Sequence, residues 1–289
     1  MANNTPLPYA LIDSGEGRKL ERFGSYLVSR PCAQAVWKKK LPHSTWQAAD
    51  AIFTRDEENR WVKKPHLPSS WLIEMAGIYF KIQPTDFGHL GVFPEQKSSW
   101  HWIQNYLKTA QATQKNPLKV LNLFAYSGGS TLASARAGAN VCHLDASKGM
   151  VSWARENAAI NKLDAAPIRW IIDDVMKFLQ REVKRQSRYD AIILDPPTFG
   201  RGAQGELFKI EEQILPLLDL CRQILSDHPQ FILFSCHTPG FSPHVLKNLL
   251  HGITASLKGS MDIGEMLIEG DTPAIFPIPS GTFARWQCE

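Results

Sequence analysis

The chain has 289 residues, 44% of them hydrophobic, and a net charge of +4, which is enough apolar material for one large domain and a smaller one. No run approaches the roughly 18 consecutive apolar residues of a membrane-spanning helix, and the start, Met1-Ala-Asn-Asn-Thr-Pro6, lacks the basic-then-apolar layout of a secretory signal. Five scattered cysteines (Cys32, Cys142, Cys221, Cys236, Cys288) without paired spacing argue against a disulfide framework or a zinc site, and for a cytoplasmic setting.

Residues 1–65 hold 11 Lys/Arg against 7 Asp/Glu, whereas the remainder holds 21 of each. A basic leading region suits an acidic polymer such as RNA, and equally suits ordinary surface lysines. Short alternating runs at 9–12, 24–28, 49–53, 60–62 and 78–82 predict a small β-rich domain over 1–85, with possible substrate binding. Its Trp37, Trp46, Trp61 and Trp71 are read mainly as core, and Lys38-Lys39-Lys40 as a solvated face. Residues 86–116 form a connector and a leading amphipathic helix from about 98 to 114, carrying Trp100, Ile103, Tyr106 and Leu107.

From 117 to 289 strands and helices alternate. Strands are expected at 119–124, 140–145, 168–172, 189–195 and 230–235, and helices at about 129–138, 147–161, 174–185, 211–226 and 242–257. Such alternation predicts an α/β fold with a mostly parallel, Rossmann-like sheet. Runs at 261–268 and 281–287 lack an intervening helix, so the last strand should insert antiparallel.

In a doubly wound sheet, ligands sit at the carboxyl ends of the strands. The first such end reads Asn122-Leu-Phe-Ala-Tyr-Ser-Gly-Gly129, a turn whose following helix offers bare N–H groups. The second is Asp145-Ala146-Ser147, where the acid can accept ribose hydroxyls and Ser147 can cap a helix. At the third, Asp173-Asp174, one acid is expected to cap the next helix and the other to accept an adenine amino group. No Lys or Arg follows the glycine turn, which points away from diphosphates and toward S-adenosylmethionine. The fourth end, Asp195-Pro196-Pro197-Thr198-Phe199, leaves the sheet stiffly with carbonyls free to accept from a planar amino edge.

These stretches, with Trp153-Ala-Arg-Glu-Asn157 and the upstream Gly91-Val-Phe-Pro-Glu-Gln96, resemble class I S-adenosylmethionine-dependent methyltransferases. More narrowly, residues 85–287 resemble the ribosomal RNA methyltransferases that include the large-subunit cytosine-5 and guanine-N7 enzymes. The resemblance implies S-adenosyl-L-methionine as cofactor and RNA, ribosomal by preference, as partner. It implies cofactor contacts at Gln96, Asn122, Phe124, Tyr126, Ser127, Gly128, Asp145, Ala146, Ser147, Asn157, Asp173, Asp174 and Asp195. Leu11-Ile-Asp-Ser-Gly15 and Arg18-Lys-Leu-Glu-Arg-Phe-Gly24 resemble the β domain of uncharacterised members rather than the RNA-binding domain of some relatives.

Two chemistries stay open. Methylation at cytosine C5 needs a thiol that adds at carbon-6, and Cys236, in Phe234-Ser-Cys-His237, resembles the relatives' nucleophile stretch. Asp195 would then hold the base edge; methylation at nitrogen would instead use the Asp195 carboxylate and the Pro196 carbonyl to orient the acceptor, and in either case Pro197, Phe199 and Arg201 are expected against the substrate. The loop from 199 to 205 is expected to be mobile until substrate arrives. A third reading, from another class, is a non-catalytic RNA-binding factor with a vestigial pocket. No metal-ligand cluster is apparent, and oligomeric state is open.

Overall fold

The structure, a computed structural model, describes residues 7–55, 59–202 and 205–289. They fall into two compact units: the chain up to Lys97 together with Leu267–Ser280, and Ser98–Met266 together with Gly281–Glu289.

In the first unit, β1 (Tyr9–Gly15), β2 (Arg18–Phe23), β3 (Tyr26–Pro31), β4 (Ala51–Phe53) and β5 (Trp61–Lys63) form one sheet in chain order. All its pairs are antiparallel except β3–β4. A five-residue helix α1 (His43–Gln47) and the hairpin β6 (Trp71–Met75) and β7 (Ile78–Ile82) complete the named elements. Its interior is laced with polar groups. Glu21, fully buried, takes both a bidentate bond from Arg30 (2.7 and 2.8 Å) and the Tyr9 hydroxyl (3.0 Å). Burial opposes the Glu21 charge, yet Arg30 and Lys19 hold its carboxyl down to about 2. Buried Asp13 accepts the Ser14, Lys40 and Leu41 amides and the Trp46 indole. The other three tryptophans also bond within this unit, Trp37 to Ser14, Trp61 to Thr85 and Trp71 to Phe23.

Strands β2 and β6 were not expected. In β2 the residues 18–23 show no alternation of hydropathy, because the buried side chains include the charged Glu21 beside Leu20 and Phe23. The segment 267–280 joins this unit through Asp271, whose N–H donates to the Leu11 carbonyl (2.9 Å) and whose carboxylate lies 3.7 Å from Arg22.

The second unit opens with α2 (Lys97–Gln111) and alternates through β8 (Lys119–Leu123), α3 (Gly129–Arg136), β9 (Asn140–Asp145), α4 (Lys148–Ile160), β10 (Ile168–Ile172), α5 (Val175–Lys184) and β11 (Ala191–Leu194). A small antiparallel hairpin, β12 (Phe199–Arg201) and β13 (Leu207–Lys209), precedes α6 (Ile210–Ile224), β14 (Phe231–Cys236), α7 (Pro243–Thr254), β15 (Gly259–Ile268) and β16 (Ile278–Cys288). The main sheet runs β10-β9-β8-β11-β14-β16-β15. The first five strands are parallel, and β16 lies antiparallel to β14, as the missing crossover helix predicts.

The central strands are apolar on both faces because helices cover both. On one side Leu121, Leu123, Ile192, Leu194, Ile232 and Phe234 meet α5, α6 and α7. Opposite, Trp102 and Tyr106 of α2 pack edge-on against Phe231. Each such buried side chain contributes roughly 1.5–3 kcal/mol. Caps fix where the helices begin: Ser147 accepts the Met150 N–H, Asp174 that of Lys177, and Ser242 that of Val245. Among the described residues, no helix is long and apolar enough to cross a membrane.

The stretch expected as a loop from 199 to 205 differs. Phe199–Arg201 pairs with Leu207–Lys209, and Thr198 and Ile210 close that hairpin through a backbone bond of 3.2 Å. Residues 203 and 204 lie outside the described residues.

Candidate active site at the carboxyl edge of the parallel sheet

Parallel pairing brings the carboxyl ends of β8, β9, β10, β11 and β14 to one edge, and the strand order reverses between β8 and β11. That reversal is the topological switch point where doubly wound sheets bind ligands. At the end of β8 the chain turns through Phe124 and Tyr126, both left-handed (φ 55° and 50°). Such values in bulky residues cost of order 1–3 kcal/mol and cluster at functional turns. Neighbouring bonds over-determine them. The Ala125 N–H donates to the Leu144 carbonyl (3.0 Å), and the Tyr126 N–H donates to Asp145 Oδ2 (2.9 Å).

Asp145 therefore organises the site. Its other oxygen accepts the Ser147 N–H at 2.8 Å. Burial pushes its pKa up, and the two amide bonds oppose that rise. Each oxygen holds one amide and retains a second acceptor direction, which suits a pair of hydroxyls. Ala146 is half-buried, and Ser147 is exposed at the cap of α4. Next to the turn, Gly128 (φ 95°) opens α3, and a Cβ there would lie 3.0 Å from the Ala154 methyl. Only glycine combines that backbone with so close an approach to α4.

Beneath the turn lies a supporting layer. Asn157 Nδ2 donates to the Ser127 carbonyl (3.0 Å), and Asn122 Nδ2 donates to Thr131 Oγ1 (2.9 Å), which in turn meets His143 Nδ1 (2.9 Å). Asn122, Ser127 and Asn157 are all buried. Asn157 thus braces the turn through its backbone, and Asn122 ties the end of β8 to the side chain of Thr131 in α3.

Of the acids after β10, Asp174 caps α5, and Asp173 accepts the Asp174 N–H (2.9 Å) and pairs with Arg181. The sequence anticipated a cap from one of these acids, and it is Asp174; the partner found for Asp173 is Arg181, which reaches back two helical turns from within α5.

The diproline segment leaves β11 beside the end of β14. Pro196 is buried and Pro197 exposed. Asp195 Oδ1 lies 3.7 Å from His237 Nε2, and the Thr198 and Thr238 hydroxyls share a 2.9 Å bond, lacing the two exits together. Cys236 is 1% exposed and belongs to the core beneath α7. Its thiol takes the Thr238 N–H at 3.4 Å, and burial pushes its pKa up. His237, adjacent in sequence, faces the other way and meets Asp195, a consequence of the two-residue period of a strand. Phe199 and Arg201 are exposed on the β12–β13 hairpin. Gln96 is buried in a 3-10 turn, Pro94–Gln96, that belongs to the first unit.

A separate cavity of about 310 Å³ opens where β8–β11 begin, lined by Lys119, Cys142, Arg169, Glu182 and Tyr189 among others. Its acid, Glu182, is engaged by Tyr189 (2.8 Å) and Arg185 (3.0 Å), and no glycine turn faces it.

A family model described as S-adenosylmethionine-dependent methyltransferase matches residues 33–246. The crystal structure of the SAM-dependent methyltransferase from Agrobacterium tumefaciens is 39% identical, with a TM-score of 0.91 over 100% of this chain and 98% of that one. Ribosomal RNA large subunit methyltransferase K/L from Hahella chejuensis is 29% identical over 167 residues, 57% of this chain and 22% of that protein. Ribosomal RNA large subunit methyltransferase I from Escherichia coli is 24% identical over 289 residues, 94% of this chain and 71% of that protein. The chain thus spans 20% to 23% of the length of the K/L relatives it matches.

Proposed function

The chain belongs to the S-adenosylmethionine-dependent methyltransferase family, and on that premise we propose that it methylates a base of RNA, with ribosomal RNA as the first substrate to test. The observation that carries this reading is Asp145, fixed by the Tyr126 and Ser147 amides with acceptor capacity to spare beside a glycine turn. This donor and acceptor set fits the cofactor. Asp145 would hold the ribose hydroxyls, the backbone from Phe124 to Gly128 and the start of α3 would hold the charged tail, and Asp173, paired with Arg181 at the next strand end, would accept from the adenine amino group. Bound there, S-adenosylmethionine supplies an electrophilic methyl group on a sulfonium. The protein's own task is then to hold an acceptor atom in line and to exclude competing geometries, and positioning alone can supply much of the rate. RNA is favoured by the likeness to two ribosomal RNA large subunit methyltransferases and by the basic excess of residues 1–65.

For the acceptor atom, a ring or exocyclic nitrogen is the better-supported reading. Asp195 is partly exposed at the switch point, and the diproline step frees carbonyls beside it. The thiol of Cys236, in contrast, is buried, faces the core and is held toward its protonated form, the reverse of an activated nucleophile. The C5 reading keeps one support: Cys236 ends β14, the strand next to β11.

Mass spectrometry of ribosomal RNA nucleosides from cells with and without the gene tests the proposal. A single methylated nucleoside should vanish and return with the purified protein and cofactor. Cys236→Ala should keep the wild-type rate within about threefold, whereas the C5 route would lose orders of magnitude. Calorimetry showing no S-adenosylmethionine binding, with Asp145→Ala no different from wild type, would point to a non-catalytic factor instead.

A further inference from the structure

We propose that His237 is a positioning residue for Asp195: its imidazole holds one carboxylate oxygen so that the other is turned toward the acceptor base. This inference rests on the methyltransferase reading above for its purpose, though not for its geometry.

Three observations carry it. The first is reach. Strands β11 and β14 are parallel neighbours with Leu194 opposite Phe234, so the chain just past them sets Asp195 and His237 side by side, Nε2 to Oδ1 at 3.7 Å. That is ion-pair range, beyond hydrogen-bond distance, so the hold on the carboxylate is electrostatic.

The second is that the backbone around His237 is built to hold it. Cys236 is the last residue paired to β16, opposite Thr282, and Thr282 Oγ1 donates to the Phe241 carbonyl at 2.7 Å. On the other side of His237, Thr238 bonds Thr198 through its hydroxyl and the Cys236 sulfur through its N–H. Gly281 faces the same point in a left-handed conformation (φ 124°), where a Cβ would come within 2.9 Å of the Cys236 carbonyl oxygen and 3.0 Å of His237 Nδ1. A side chain at 281 would crowd the ring and also Met266 Cε, 2.6 Å from that Cβ.

The third is exposure. The side chains of His237 and Asp195 are 37% and 26% exposed, so both reach the open edge where an acceptor would enter. The chain's packing histidine looks different. His143 is fully buried, bonded to Thr131, and burial lowers its pKa to about 3. A carboxylate that must accept an N–H from a base gains from a third group fixing its rotamer, as in oriented base pairs elsewhere.

The test has two arms. In the first, methyl transfer to ribosomal RNA is measured for His237→Ala, His237→Gln and Gly281→Ala, with cofactor affinity read by calorimetry. His237→Ala should lower kcat by about 10–100-fold while the cofactor Kd stays within twofold, and His237→Gln, whose amide can donate to the same oxygen, should recover most of the loss. Gly281→Ala should reproduce the His237→Ala defect. In the second arm, the His237 ring is titrated by NMR in wild type and in Asp195→Asn. The midpoint should fall by at least half a unit when the carboxylate charge is removed. An unchanged midpoint, or a His237→Ala protein with wild-type kcat, overturns the proposal. A wild-type protein inactive on every RNA would overturn the functional reading alone, because the titration still decides whether the pair exists.

Discussion

Both interiors rest on hydrocarbon, but the N-terminal unit also buries an ion pair, Glu21 with Arg30, which the Tyr9 hydroxyl completes, where the centre of the second unit's sheet packs Leu121, Ile192, Ile232 and Phe234. A buried ion pair adds little net stability over an apolar pair of equal volume, because desolvation consumes most of the attraction, but it punishes any arrangement that separates its members. The apolar core tolerates rearrangement and punishes lost volume. The two units should therefore fail by different routes.

Arg30→Met gives the largest effect. It strands the buried Glu21 carboxylate, and unfolding in urea should show a loss of about 3–5 kcal/mol. Adding Glu21→Leu should recover most of it. Phe234→Ala in the second unit should cost a similar ~3–5 kcal/mol, yet no second apolar change nearby should rescue it. If the Arg30→Met loss persists unchanged in the double variant, the proposed contrast between the interiors is wrong.

Acid separates the units further. His143 stays neutral in the fold with a pKa of about 3 against 6.5 when unfolded. Below pH 6.5 the unfolded chain takes up a proton that the folded one refuses, so stability falls as pH drops from 6.5 toward 3. The loss amounts to about 2 kcal/mol by pH 5. Glu21 has the depressed carboxyl pattern: its contribution is complete above about 4.5 and is lost as pH falls toward 2. The second unit should thus weaken first, and His143→Gln should abolish the component between pH 6.5 and 5 in tryptophan fluorescence. The smallest effect is expected at the cap of α7, where Ser242→Ala should cost about 1 kcal/mol, independent of pH, in the second unit only.

The same contrast explains what could be read from sequence. Asn140–Asp145 and Phe231–Cys236 fall where apolar runs and turn residues predict them, because burial on both faces writes a continuous hydrophobic signal. Arg18–Phe23 escaped because four of its six residues are charged and one of them, Glu21, is buried beside Leu20 and Phe23, so the segment reads as surface. At the site, the acids at strand ends and the caps Ser147 and Asp174 were legible from type and spacing. The left-handed turns at Phe124 and Tyr126 were not, since nothing in a phenylalanine or tyrosine announces a positive φ. The seam formed by Thr198 with Thr238, and Asp195 with His237, depends on which strands are neighbours, and that is known only once the sheet order is known.

One feature of the chain path bears on how this protein can be taken apart. Because 267–280 completes the N-terminal unit, through Asp271 on Leu11 and the Trp37–Phe276 ring contact, the polypeptide passes between the units three times. Cutting after residue 97 would release a fragment missing one of its own walls and leave behind an orphaned proline-bearing loop. The N-terminal unit is therefore not a detachable adaptor, and exchange of this region between homologues would have to carry both pieces to yield a folded hybrid.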